Sequence, residues 1–131
     1  MLAGVTAYYS RPTQFRGRDV IHFIDNVGAL IGLARGYSSD VDSGRLISTF
    51  HVINCALRCN VWFEYVASGA NISDLPSRNE FALLKSSAYN AESFGIEWPP
   101  VGVWAGDFSA IFSDLSSRDV KSVAKKRKRF R

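Results

Sequence analysis

Two short apolar segments, separated by two helical patterns, constrain the fold of this chain more than any other feature. The segments are Val20–Ile24 (VIHFI) and Val61–Val66 (VWFEYV), and both are rich in β-branched and aromatic residues. Strands that are connected through helices pair in parallel with a right-handed crossover. Because parallel sheets are ordinarily covered on both faces, near-continuous apolar strands are typical of them. The pattern predicts the α/β class, with a short parallel sheet flanked by helices.

The connection between these strands indicates a short helix followed by a long one. Gly36 is placed to end the short helix as a C-terminal glycine. The long helix is marked by a stripe of apolar residues at helical spacing, at Leu46, Phe50, Ile53 and Leu57. We expect Asp42 or Ser43 to cap the start of the long helix and Asn60 to close it.

The positive net charge is concentrated at the C-terminal end. The chain has sixteen basic and twelve acidic residues, and without six C-terminal cations only ten basic residues remain. These cations are Lys125, Lys126, Arg127, Lys128, Arg129 and Arg131. Such a run can bind nucleic-acid phosphates or serve as a nuclear address, and a solvated disordered end is the ordinary alternative. We expect any nucleic-acid affinity to be a property of this tail.

The sequence has no feature typical of membrane insertion or secretion. No stretch approaches the ~20 apolar residues that span a bilayer, and Met1–Phe15 lacks the basic start and apolar run of a signal peptide. Cys55 and Cys59 have no further ligands at zinc spacing, so we expect free thiols on or near a buried helix face. We expect an intracellular protein without a membrane partner, nuclear if the tail acts as an address.

Two aspartates stand where the predicted strands end. Asp25 follows the first strand, and Asp74, with Pro76, is expected to open a helix through Phe81–Leu84 just after the second. Ligand sites of parallel sheets lie beyond the carboxyl ends of the strands, so the two carboxylates could converge there. Carboxylates suit Mg²⁺, and a pair of such ions can drive phosphodiester cleavage. The ordinary alternative is that these acids only cap helices.

The sequence around these two aspartates resembles the ribonuclease H domain of retroelement reverse transcriptases. Phe23–Asn26 (FIDN) matches the strand of that family that ends in an Asp-Asn pair. Asn71–Arg78 (NISDLPSR) matches its later motif, with Ser73 where the family usually has Ala. The resemblance extends over residues 18–78.

The resemblance implies a chemistry and a set of roles. Asp25 and Asp74 would be metal ligands of the catalytic site. Other residues would lie near the substrate, namely Asn26, Ser68, Asn71 and Arg78. The implied activity is Mg²⁺-dependent hydrolysis of RNA in an RNA–DNA hybrid.

The resemblance is incomplete on its N-terminal side. The family uses four carboxylates, of which Asp25 and Asp74 correspond to the third and fourth, whereas the first acidic residue of this chain is Asp19. The first three strands of the family are missing too, and Met1–Phe15 could at most be the end of its first helix, broken by Pro12. Two carboxylates hold two Mg²⁺ ions poorly, so we expect weak or absent Mg²⁺ binding and no hydrolysis by this chain alone.

The resemblance divides the chain into parts. Residues 1–17 would be a remnant of an upstream helix and loop, and residues 18–85 the C-terminal half of a ribonuclease-H-like domain. Residues 86–120 would be an irregular segment with a short helix, and residues 121–131 the basic tail. The implied partners are an RNA–DNA hybrid and the missing upstream part of a polyprotein. The open edge of a truncated sheet also favours self-association.

Two other functions stay open. One is a non-catalytic nucleic-acid-binding module that uses the tail. The other is an unrelated small α/β interaction protein whose acids merely cap helices. His22 is expected to be a core histidine of the first strand and His51 to lie on the polar side of the long helix. Neither histidine has a serine or cysteine nucleophile at a sequence spacing typical of a catalytic triad, which disfavours that kind of site.

Overall fold

Two adjacent parallel strands form the centre of the fold. The computed structural model describes residues 1–86 and 91–118, which leaves residues 87–90 and residues 119–131, with the basic tail, outside the description. Strand β1 (Asp19–Ile24) pairs with β2 (Asn60–Tyr65), and Ile21 lies opposite Trp62. The predicted mixed α/β class and short parallel sheet are therefore confirmed.

Two helices make the crossover between the strands. They are α3 (Val27–Arg35) and α4 (Val41–Leu57). Gly36 ends α3 in the left-handed conformation at φ 81°, as predicted. The predicted caps of α4 are wrong, because Asp40 accepts a hydrogen bond from the Ser43 amide at 2.8 Å. Asp42 and Ser43 already belong to the first turn, where a side chain is past the position from which it can cap the helix.

The long helix also ends earlier than predicted. Arg58 follows Leu57 in the left-handed conformation at φ 52°, and the Cys59 amide bonds back to the Asn54 carbonyl at 2.9 Å. This closure turns the chain directly into β2. Asn60 therefore begins the strand, where its side-chain amide donates to Asp19 on β1 at 2.8 Å.

The N-terminal residues form part of the core. Helix α1 (Leu2–Ser10) ends before Pro12, which starts the short helix α2 (Pro12–Phe15). Pro12 thus interrupts the helical N-terminus, as expected. Helix α1 packs on α4, and a later helix over residues 109–118, called α6 below, completes the layer. Fully buried members of this core include Val5, Tyr9, Phe50, Ile53, Leu57, Ile111 and Leu115.

Residues 1–86 and 91–118 cover only one face of the sheet, whereas the sequence indicated strands buried on both faces. Ile21 is 61% exposed, Phe23 56% and Trp62 69%. The alternate residues of both strands, His22 and Phe63 among them, face α1 and α4. A two-stranded sheet has two faces to cover, and the described helices pack against one of them.

The chain beyond β2 forms tight turns in place of the predicted helix. Successive 3-10 turns cover Ser68–Ala70, Ile72–Asp74 and Pro76–Arg78, and helix α5 is confined to Phe81–Leu84. Asn79 adopts a left-handed conformation at φ 57°, which breaks a continuous helix between Pro76 and Leu84.

Residues 91–118 return the chain to the core. Residues 91–100 have no regular structure, a 3-10 turn covers Val101–Ala105, and α6 follows. Residues 87–90 and 119–120, which belong to the segment predicted over residues 86–120, lie outside the described residues. Among the helices of residues 1–86 and 91–118, none combines the length and apolar character needed to cross a membrane.

Candidate functional site

A cavity of about 160 Å³ lies at the C-terminal end of β1. It brings together residues of both matched motifs with the apolar core beneath them. Its polar lining includes His22, Asp25, Asn71 and Ser73, and its apolar lining includes Ile24, Leu33 and Phe50. Parallel strands bind ligands at this end, so the cavity is the candidate site.

Asp25 and Asn26 are positioned by the change from strand to helix. Asp25 is half-buried and lines the cavity directly after Ile24. Asn26 caps α3, because its side-chain oxygen accepts the Ala29 amide at 2.9 Å. Asn26 also lines a separate cavity of about 430 Å³, which it shares with Gly28 and Ser43. The Asp-Asn pair therefore places one carboxylate in the candidate site and uses the neighbouring amide to start the helix.

The turn after β2 carries the second group of polar residues. The side-chain oxygen of Asn71 accepts hydrogen bonds from the Ser73 amide at 3.1 Å and from the Ser73 hydroxyl at 2.6 Å. This local pairing fixes both side chains, and both line the cavity with Asp25. Ser73 was not among the predicted site residues, although its place inside the NISDLPSR motif is a signal that could have found it.

Asp74 is held by its own turn. Its carboxylate lies 3.5 Å from the Arg78 guanidinium, and its carbonyl accepts the Ser77 hydroxyl at 2.7 Å. Both side chains of the ion pair are partly solvent-exposed, which makes it a weak interaction. Convergence of the Asp25 and Asp74 carboxylates on one ion stays a prediction.

The remaining predicted site residues lie further out or outside the description. Ser68 begins an exposed 3-10 turn beyond β2. Arg78 is exposed and engages Asp74. The six tail cations, Lys125, Lys126, Arg127, Lys128, Arg129 and Arg131, all fall within residues 119–131 and so outside the described residues.

His22 forms part of the cavity wall as well as the core. Its Nδ1 atom lies 3.3 Å from the Tyr8 hydroxyl, and its ring packs near Phe50 and Phe63. Burial lowers the pKa of His22, with a smaller contribution from the positive chain N-terminus. The core environment that the sequence suggested is confirmed, and its contact with the cavity is an addition. The sequence signal for this contact was the alternation of side chains along β1. His22 lies two residues before Ile24, so both side chains are on the same face of the strand.

His51 does not lie on a polar helix face, contrary to expectation. Its Nε2 atom donates to the Leu33 carbonyl at 2.9 Å, and its ring meets Phe50 and Phe63 edge-on. It therefore ties α4 to α3 over the sheet. The prediction was wrong because helical position alone does not reveal which neighbour covers a side chain.

The two cysteines have different surroundings. Both are free thiols, Cys55 is exposed and Cys59 is buried. Burial raises the pKa of the Cys59 thiol. The expected place on or near a buried helix face therefore applies to Cys59, which follows the end of α4.

The donors around the cavity do not make up a site for a resident pair of Mg²⁺ ions. Within residues 1–86 and 91–118, His, Cys, Asp and Glu side chains nowhere gather in threes as a metal-binding group. The Asn71 oxygen that could join Asp25 already accepts two hydrogen bonds from Ser73. A two-metal centre of the hydrolytic type needs more carboxylate than these residues supply.

Comparison of the chain with protein-family models, with curated proteins and with solved structures finds no match. The likeness to ribonuclease H stays a prediction, and it depends on the two motifs at Phe23–Asn26 and Asn71–Arg78. Residues of both motifs reach the same cavity.

Proposed function

We propose that this chain is the C-terminal half of a ribonuclease-H-like domain of the retroelement type. One observation carries the proposal: Asp25 from one motif and Asn71 and Ser73 from the other line a single cavity. The cavity lies at the carboxyl end of a parallel strand–helix–helix–strand unit, where α/β proteins bind ligands.

The side chains of the cavity suggest a division of roles. Asp25 offers a half-buried carboxylate to a hard cation. Asn71 uses its side-chain oxygen within its own turn, so the donors it can offer a phosphate or ribose oxygen are its N–H groups. The exposed Asp74–Arg78 pair costs little to separate, which leaves both side chains available to ions and phosphates.

Hydrolysis of RNA in an RNA–DNA hybrid then requires acids from outside this chain. The described residues supply too few carboxylates for a two-metal centre. We propose that the missing groups come from the upstream part of a longer polypeptide or from a separate chain. The isolated chain would bind a divalent ion weakly at most.

The experiment is to read the coding sequence in frame upstream of Met1 and to express the extended protein. We expect a strand that bears an Asp, a helix that bears a Glu, and Mg²⁺-dependent hybrid cleavage that Asp25→Asn abolishes. Asp42→Asn is the matched control, because Asp42 is an exposed carboxylate of α4 away from the cavity. An upstream reading without these elements, or cleavage that survives Asp25→Asn, would overturn the proposal.

A second function is favoured by a different observation. The exposed apolar residues Ile21, Phe23 and Trp62 give the sheet a face suited to contact another polypeptide segment, as in a small α/β interaction protein. Under that alternative Trp62→Lys would abolish partner binding while Asp25→Asn would not. The ribonuclease H proposal predicts the reverse for hybrid cleavage by the extended protein, which Asp25→Asn would abolish and Trp62→Lys would not.

A further inference from the structure

The outward face of the two-stranded sheet has no cover in residues 1–86 and 91–118. Six side chains form this face, which we call the outer sheet face: Asp19, Ile21, Phe23, Asn60, Trp62 and Glu64. Its centre is apolar, because Ile21 lies directly opposite Trp62 and both are mostly exposed. Parallel sheets are found almost only with both faces covered. We therefore expect another polypeptide segment to cover this exposed apolar face.

The charges of the outer sheet face select the kind of occupant. Asp19 stands at the start of β1 and Glu64 near the end of β2, so both ends of the apolar centre carry a carboxylate. Neither strand contributes a lysine or arginine, since their sequences are DVIHFI and NVWFEY. A second copy would place the same carboxylates against each other, which is unfavourable. A cationic segment with some apolar residues fits better.

A cationic segment with some apolar residues follows residue 118 in this chain. The Arg16 guanidinium, just before β1, donates to the Leu115 carbonyl near the end of α6 at 3.2 Å. Arg118 donates to the Tyr9 carbonyl at 3.1 Å. Leu115 and Arg118 therefore contact residues that precede β1 in the chain. An extended chain spans up to about 3.3–3.6 Å per residue, so residues 119–131 can reach along the whole of a six-residue strand.

We propose that residues 119–131 cover the outer sheet face of their own chain. This segment, DVKSVAKKRKRFR, contains the six tail cations together with Val120, Val123 and Phe130. The cations match Asp19 and Glu64, and the apolar residues match the centre around Trp62. The proposal does not depend on the ribonuclease H resemblance.

A spin label near the end of the tail tests the contact in the full chain. Arg131→Cys in a Cys55→Ser background provides the labelling site, because the remaining Cys59 is buried. The readout is the indole N–H signal of Trp62 in an NMR spectrum, assigned with Trp62→Phe. We expect the label to abolish this signal and to spare the indole signals of Trp98 and Trp104. A Trp62 signal that survives the label would overturn the proposal.

Two controls separate docking from proximity by chance. Ile21→Lys places a cation on the outer sheet face, which should repel the tail and restore the Trp62 signal. The control Val41→Lys changes a similarly exposed apolar residue of α4, and there the Trp62 signal should stay abolished. Signal loss that persists in Ile21→Lys would contradict the proposal. In a mixture of labelled and isotope-enriched chains the Trp62 signal should survive. Its loss there would show that the tail of another copy occupies the face, which would also overturn the intramolecular contact.

Discussion

The hydroxyl group of Tyr9 in α1 donates a hydrogen bond to the carboxylate of Asp114 in α6, which joins the two ends of the described chain. Arg118 supports the same carboxylate at 2.8 Å and stacks over the Tyr9 ring at 4.4 Å. Only 1% of Tyr9 is exposed, so its hydroxyl would be costly to leave without a partner. This contact fixes α6 against α1.

We expect Tyr9→Phe to destabilise the fold. The substitution removes a hydrogen bond to a charged group, which is worth about 1.5–3 kcal/mol of unfolding free energy. Urea denaturation measures the change. Tyr37→Phe is the matched control, since Tyr37 is 65% exposed and its substitution should change the free energy little. Equal effects of the two substitutions would contradict a structural role for the Tyr9 bond.

The same hydroxyl predicts a loss of stability at alkaline pH. Burial, and then the hydrogen bond to Asp114, raise the pKa of Tyr9. An unfolded tyrosine ionises near pH ~10, whereas the folded one stays protonated. The stabilisation is therefore complete below that pH and is lost as the pH rises toward the folded pKa. Tyr9→Phe should flatten this alkaline decline in unfolding free energy.

His22 predicts a complementary acid limit. Burial lowers the pKa of His22, so the folded state favours the neutral ring while an unfolded histidine takes up a proton near pH ~6.5. The stabilisation is present above that pH and is lost as the pH falls toward the folded pKa. Unfolding free energies measured between neutral and mildly acidic pH should decline less steeply for His22→Gln than for the parent. Parallel declines would assign the acid sensitivity to other groups.

Arg58 is a position where a substitution should stabilise the protein. It closes α4 at φ 52°, a conformation that costs a residue with a Cβ roughly 1–2 kcal/mol. Arg58→Gly removes that strain, and the greater freedom of glycine in the unfolded chain offsets part of the gain. We expect the free energy of unfolding, measured by urea denaturation, to increase by about 0.5–1 kcal/mol. The control Arg45→Gly, inside the right-handed part of α4, should destabilise by about 1 kcal/mol.

The tail should dominate nucleic-acid affinity. Its six cations are removed in a chain truncated before Lys125, and the rest has fewer basic than acidic residues. Each phosphate that a protein neutralises steepens the salt dependence of binding. Truncation should therefore weaken binding to an RNA–DNA hybrid and flatten its dependence on salt, as measured by fluorescence anisotropy. If the truncated chain bound equally well with the same slope, the folded surface would be the binding site.

The isolated chain should not cleave an RNA–DNA hybrid with Mg²⁺ or Mn²⁺. The described residues lack a gathered set of carboxylates for two ions. Gel analysis of a labelled hybrid, incubated with purified chain and with its Asp25→Asn variant, should give identical patterns. Hybrid-specific cleavage that Asp25→Asn removes would mean that another residue or a second copy completes the site.

The sequence by itself determined the parts of the fold that depend on local periodicity. It predicted β1 and β2, the buried stripe Phe50, Ile53 and Leu57, and the stop at Gly36. Side-chain spacing and backbone preference act within a few residues, so these features can be recognised without the partners they pack against. The sequence also placed Asp25 at the end of a strand, and in the structure Asp25 lines a cavity there.

Only the tertiary structure decided which surfaces are covered and which polar groups meet. Alternation in β1 indicates two faces, but the packing of α1 and α4 on one of them leaves Ile21 and Phe23 exposed. The Tyr9–Asp114 bond and the meeting of Asp25 with Ser73 at one cavity join residues that are far apart in the chain. Such contacts form because all the helices and strands together bury apolar surface in one arrangement. The free energy of that arrangement is a sum over the whole fold, so a short stretch of sequence does not reveal it.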